Sequence, residues 1–155
     1  MNRTLAFLAL LSTALVSSSC GNAGAQTPGD SCAEESGEFT LTATGFAGAA
    51  PTGTALYKYY PCEKLAHIFL PGLGGASNGS TFTAGPLPPF LIPATIPTQE
   101  HALNGFDNGV ESSPMSAEIS AGSPTIQYLK NGLLAGWTPS GAKGIGLQVI
   151  TVFLD

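Results

Sequence analysis

Residues 54–84 read TALYKYYPCEKLAHIFLPGLGGASNGSTFTA, and the way this stretch alternates decides the fold class. In 54–60, Ala55, Tyr57 and Tyr59 share one side of an extended chain while Leu56, Lys58 and Tyr60 share the other, a period of two that suits a pleated strand. Pro61-Cys62-Glu63 interrupts it. Residues 65–70 (LAHIFL) resume, apolar on both sides except at His67, as in a strand covered on both faces. The four glycines and one asparagine of PGLGGASNG exclude a helix and predict a long turn. Residues 80–84 (STFTA) form the third expected strand, so the segment predicts an antiparallel meander.

Composition supports that reading. The chain has 155 residues, enough for one domain with a core. Only 10% are charged, against about 25% in an ordinary globular protein, and 20 glycines and 12 prolines punctuate the chain, which argues against long helices. With five Lys and Arg in all and a net charge of −5, nucleic acid is not an expected partner, because phosphate binding needs clustered cations.

The N-terminus predicts export. Asn2-Arg3 is a short positive start, and residues 5–16 are a mostly apolar run, too short for a bilayer span but suited to a signal-peptide core. Two processing sites compete. Ala23-Gly24-Ala25 is an A-x-A site, giving a signal peptide over 1–25 and a soluble secreted product beginning at Gln26. Ser17-Ser18-Ser19-Cys20 resembles the lipobox of bacterial lipoproteins, although Ser17 stands where that motif usually has Leu, and would give a signal over 1–19 and a lipid anchor on Cys20, the one expected route to a membrane. Cys32 and Cys62 then remain. If 39–44 pairs antiparallel with 54–60, both cysteines fall at the same end of the hairpin, so a disulfide in an oxidising compartment is expected, with two unrelated buried thiols as the alternative.

Residues 26–37 are small and polar, a lead-in to a domain over 38–155. Residues 38–44 alternate cleanly, Phe39, Leu41 and Ala43 against Thr40, Thr42 and Thr44, as a half-buried strand does. The five prolines of 85–97 (GPLPPFLIPATIP) forbid a central strand and predict an extended crossover packed over one end of the sheet. Strands are expected at 98–103, 115–119 and 125–129, with turns at Asn104-Gly105, Asn108-Gly109 and Asn131-Gly132. Residues 133–138 are an irregular apolar segment around the only Trp. Residues 144–154 close the chain as a strand apolar on both faces, Leu147, Val149 and Phe153 against Ile150, Val152 and Leu154, which places it in mid-sheet or against another subunit. About eight short strands with turns every 8 to 12 residues predict an all-β antiparallel β-sandwich of jelly-roll type.

The ordered set PTGTALYKYY, IFLPGLGGASNGSTFT, LPPFLIPA, DNG and SGAKGIGLQVITVFL resembles a β-rich module found at the C-termini of phage tail-fibre and virion appendage proteins. The resemblance covers roughly 38–155. It implies a trimer-forming or ligand-binding β-domain, and hence a homo-oligomer, a trimer among the possibilities. An export signal departs from that setting and points to a standalone exported bacterial protein.

Chemistry-bearing motifs are sparse. Gly75-Ala76-Ser77-Asn78-Gly79 matches the G-x-S-x-G elbow of hydrolases, but STFTAGPLPP cannot supply the helix that must follow. His67 and His101 are the only imidazoles and lack a Cys or Asp cluster, so no metal and no cofactor is expected. As a bare turn, the stretch from Asp107 to Glu111 (DNGVE) needs no calcium. Planar side chains on a rigid β surface stack on sugars and anchor interfaces. Most of the aromatics are expected in the core, and Tyr60, Tyr128 and Trp137, each beside a loop, are the candidate ligand-binding residues. The expected function is therefore a non-enzymatic exported β-sandwich that binds a glycan or surface protein and self-associates. The alternatives are a structural trimerising virion-type knob and, less favoured by the residues, a secreted hydrolase.

Overall fold

The structure, a computed structural model, describes residues 32–130 and 136–155. Cys20, both processing sites and the Asn131-Gly132 turn lie outside the described residues. Among those described there are ten strands and no α-helix: β1 (Glu35–Thr44), β2 (Thr52–Tyr60), β3 (Leu65–Leu70), β4 (Leu73–Ala76), β5 (Thr83–Gly85), β6 (Thr98–Asp107), β7 (Val110–Ser120), β8 (Ile126–Lys130), β9 (Ala142–Ile145) and β10 (Gln148–Phe153). Every ladder is antiparallel, in the order β10-β3-β2-β1-β5-β8-β7-β6-β9-β4. The fold is all-β and sandwich-like, as the alternation predicts.

Two bent strands bring the curled sheet round on itself. The chain turns at Pro71-Gly72 between β3 and β4, and at Gly146-Leu147 between β9 and β10. Along one arm Leu65 faces Phe153 and Leu70 faces Gln148; along the other, Leu73 faces Ile145 and Ala76 faces Ala142. One arm begins the strand order and the other ends it. Side chains pointing inward fill a single core, with Leu41, Ala55, Ile68, Ile150 and Val152 on one side and Met115, Ala117, Ile119, Ile126 and Tyr128 on the other. The proline-rich crossover packs on this core through Leu87 and Leu91, with one turn of 3-10 helix at Pro89–Leu91. Its Phe90 ring lies 5.2 Å from that of Tyr57 and 5.9 Å from that of Tyr59.

The expected pairing of the first two strands is found, Phe39 facing Ala55, and β1 begins at Glu35, inside the expected lead-in. Asn108-Gly109 makes the two-residue turn between β6 and β7, both at positive φ as a primed hairpin turn requires. Three expectations are corrected. The glycine run is not one long turn, because residues 73–76 form β4. None of its glycines has positive φ, and Gly74 serves close approach: it faces Gly144, where a Cβ would lie 2.6 Å from Leu73 O and 2.8 Å from the Phe106 ring. Asn104-Gly105 is no turn but a register shift inside β6, where a Cβ on Gly105 would meet Gly144 O. The segment is also no meander, since β5 pairs with β1 and β8 and not with β3.

The Cys32–Cys62 disulfide is present, with Cα atoms 5.2 Å apart, and ties the start of β1 to the turn after β2.

Candidate binding face

The outward side chains of β1, β2, β3 and β10 form rows set by the strand register. Leu56 faces Phe69 and Phe69 faces Val149; Lys58 faces His67 and His67 faces Thr151; Tyr60 faces Leu65 and Leu65 faces Phe153. The first row is an apolar band. Leu56, Phe69 and Val149 are exposed, and Leu147, in the bend just before β10, is 82% exposed; Phe153, also exposed, lies in the third row beyond the polar one. Two shallow hollows lie on either side of the Leu56–Phe69 ridge. One, of about 510 Å³, is lined by Ser36, Glu38 and Lys58, the other, of about 440 Å³, by Thr54, Pro71, Leu147 and Val149.

The second row is polar. His67 Nδ1 lies 3.0 Å from Thr151 Oγ1, and the Tyr60 ring meets the His67 ring edge-on at 5.7 Å. Lys58 Nζ donates to Glu34 Oε1 at 2.9 Å, and this bond holds the Glu34 carboxyl below its ordinary value. The disulfide anchors this end of the face, since Cys62 is two residues beyond Tyr60 and Cys32 two before Glu34.

Of the three aromatic candidates, only Tyr60 lies on this face. Tyr128 and Trp137 are 1% and 3% exposed and pack against Phe82, with ring centroids 4.5 and 5.2 Å from it. Trp137 Nε1 donates to Tyr128 O at 2.8 Å. Both therefore belong to the core and offer no ring to a ligand: Tyr128 points inward on β8, and the Trp137 indole is tied to it.

A second cluster, which no sequence motif announces, surrounds Lys143 on β9. Its side chain is fully buried, and Nζ donates to Gly79 O and Thr81 O at 2.7 Å each. The ammonium also lies 5.2 Å from the Phe46 ring centroid, 5.9 Å from Trp137 and 6.0 Å from Phe82. Burial pushes the Lys143 pKa down, and Asp107, opposite it on β6, pushes it back up. Ser77 Oγ donates to Thr138 O at 2.6 Å, with Gly79 O 3.2 Å away. Ser77 is only 8% exposed. Serine and lysine thus share a carbonyl but are both spent on main-chain acceptors, so they pin the loop from Ser77 to Thr81 and leave no free nucleophile-base pair.

Asp107 completes the cluster. It accepts from Lys130 Nζ at 2.6 Å, Thr138 Oγ1 at 2.8 Å and Thr138 N at 3.0 Å. Burial alone raises its pKa, but the bonds from Lys130 and Thr138 outweigh that and leave it below the ordinary 3.8. Its stabilising contribution is present above the unfolded value and is lost as pH falls through the lower folded one. Asp107→Asn is expected to cost about 2–3 kcal/mol at neutral pH. In denaturant titrations the gap from wild type is expected to narrow only below about pH 4. A gap constant down to pH 2 counts against the charge-based account.

No family model and no curated protein matches the chain. Among solved structures, a reovirus attachment protein, sigma1, crystallised in complex with alpha-2,3-sialyllactose, is similar over 78% of this chain, with a TM-score of 0.47 and 11% identity. The chain spans 66% of the length of that one.

Proposed function

We propose that the chain is a non-enzymatic, exported β-module that binds a partner at the cell surface through the polar half of the outer face. The observation that carries this reading is the Lys58, His67 and Thr151 row beside Tyr60: an aromatic ring, a cation and hydrogen-bonding groups on rigid strands, held by a disulfide. Such a set matches the polar, ring-bearing surface of a glycan or of a protein loop. The disulfide supports an oxidising compartment. The hydrolase alternative would need Ser77 freed from its carbonyl acceptors.

The test is a glycan array and an immobilised cell-surface fraction probed with residues 26–155, with Tyr60→Ala and Ser77→Ala alongside. Tyr60→Ala is expected to weaken binding by about tenfold or more, and Ser77→Ala to leave it unchanged. Covalent labelling of Ser77 by a fluorophosphonate, or binding indifferent to Tyr60, overturns the reading.

A further inference from the structure

We infer that the apolar half of the same face is covered by a second copy of this chain. The inference rests on the reading of that face as a contact surface, but it concerns different residues from the polar row. Leu56, Phe69 and Val149 stand side by side across β2, β3 and β10, with Leu147 next to them in the preceding bend. The exposed area of these four is on the order of 400 Å², within the range of the largest patch a monomer leaves to water. With the rim of Thr54, Pro71 and Gln148, which line the adjoining hollow, the patch supplies more than half of the roughly 800 Å² per partner of a standard interface.

Shape and charge favour another copy as the occupant. The Leu56–Phe69 ridge has hollows on both sides, so one surface carries both a projection and its complement, as self-contact between identical subunits needs. The apolar band itself carries no charge, and at its margin Lys58 is already paired with Glu34, which leaves only Glu38, so two copies meeting there bring little like charge together.

The experiment is sedimentation velocity on residues 26–155 up to about 100 μM, well above the dissociation constant of a standard-size contact. Wild type is expected to sediment as a multiple of the monomer mass. Leu147→Lys with Val149→Lys is expected to raise the dissociation constant at least about thirtyfold. Both side chains point outward, so the melting temperature is expected to hold; Leu147→Lys alone, at the more exposed position, repeats the test with least risk to the fold. A wild type monomeric throughout the range overturns the inference, and so does an oligomer that the charged variants leave intact. Neither result touches partner binding through Tyr60, which is read separately on the array.

Discussion

Replacing Lys143 by methionine is expected to lower the free energy of unfolding by about 2–4 kcal/mol, seen as an earlier guanidinium midpoint at unchanged slope. Two effects oppose each other. Removing a fully buried ammonium relieves its desolvation, and substitution of buried ions by apolar groups of similar size is sometimes neutral or better. Here, however, the ammonium is the donor for Gly79 O and Thr81 O and lies among the rings of Phe46, Phe82 and Trp137. Orphaned buried carbonyls cost about 1–3 kcal/mol and a desolvated cation–ring contact contributes about 2 kcal/mol, so the losses outweigh the relief. A variant as stable as wild type would show that desolvation dominates.

Substituting both Cys32 and Cys62 by serine is expected to cost about 3–4 kcal/mol, from the chain-entropy relation for a loop closed across 30 residues. The loss acts largely through the unfolded chain, which regains freedom that the bridge withholds. The first residues of β1 and the Lys58–Glu34 ion pair are the parts expected to loosen, because the bridge fixes them at that end of the hairpin. Hydrogen exchange at Glu35 and Ser36 is the direct check. Unaltered protection there, with an unchanged midpoint, contradicts the role given to the bridge.

Much of the fold is legible wherever one face of a strand is buried and the other is wet. Leu41 and Ala43 against Thr40, Thr42 and Thr44 declare β1, and Asn108-Gly109 declares the β6–β7 turn. The glycine run misleads because composition cannot tell positive φ from close approach: Gly74 and Gly144 lie in extended strands whose backbones need the space. The doubly apolar final segment predicts a strand in mid-sheet or against another subunit; the structure puts β10 at the end of the strand order, with Ile150 and Val152 in the core and Val149 and Phe153 exposed. Lys143 escapes detection because Ser-Gly-Ala-Lys-Gly looks like a solvated turn, while the rings around the ammonium come from positions 46, 82 and 137. Trp137 is the reverse case, an aromatic expected beside a loop whose indole lies in the core.

The bent pairing of β3–β4 with β9–β10 has a consequence for how copies of this chain can meet. At the β4 end, Ala47 N donates to Ala76 O and Phe46 bridges Ser77; at the β10 end, the Gln99 carboxamide accepts from Phe153 N and donates to Phe153 O at 2.7 Å each, as a neighbouring backbone would. An amide side chain and a loop thus occupy places where an uncovered margin would offer a template for strand-by-strand growth. With so little charge to hold copies apart, capping at Phe153 and Ala76 shortens the backbone left open to such pairing.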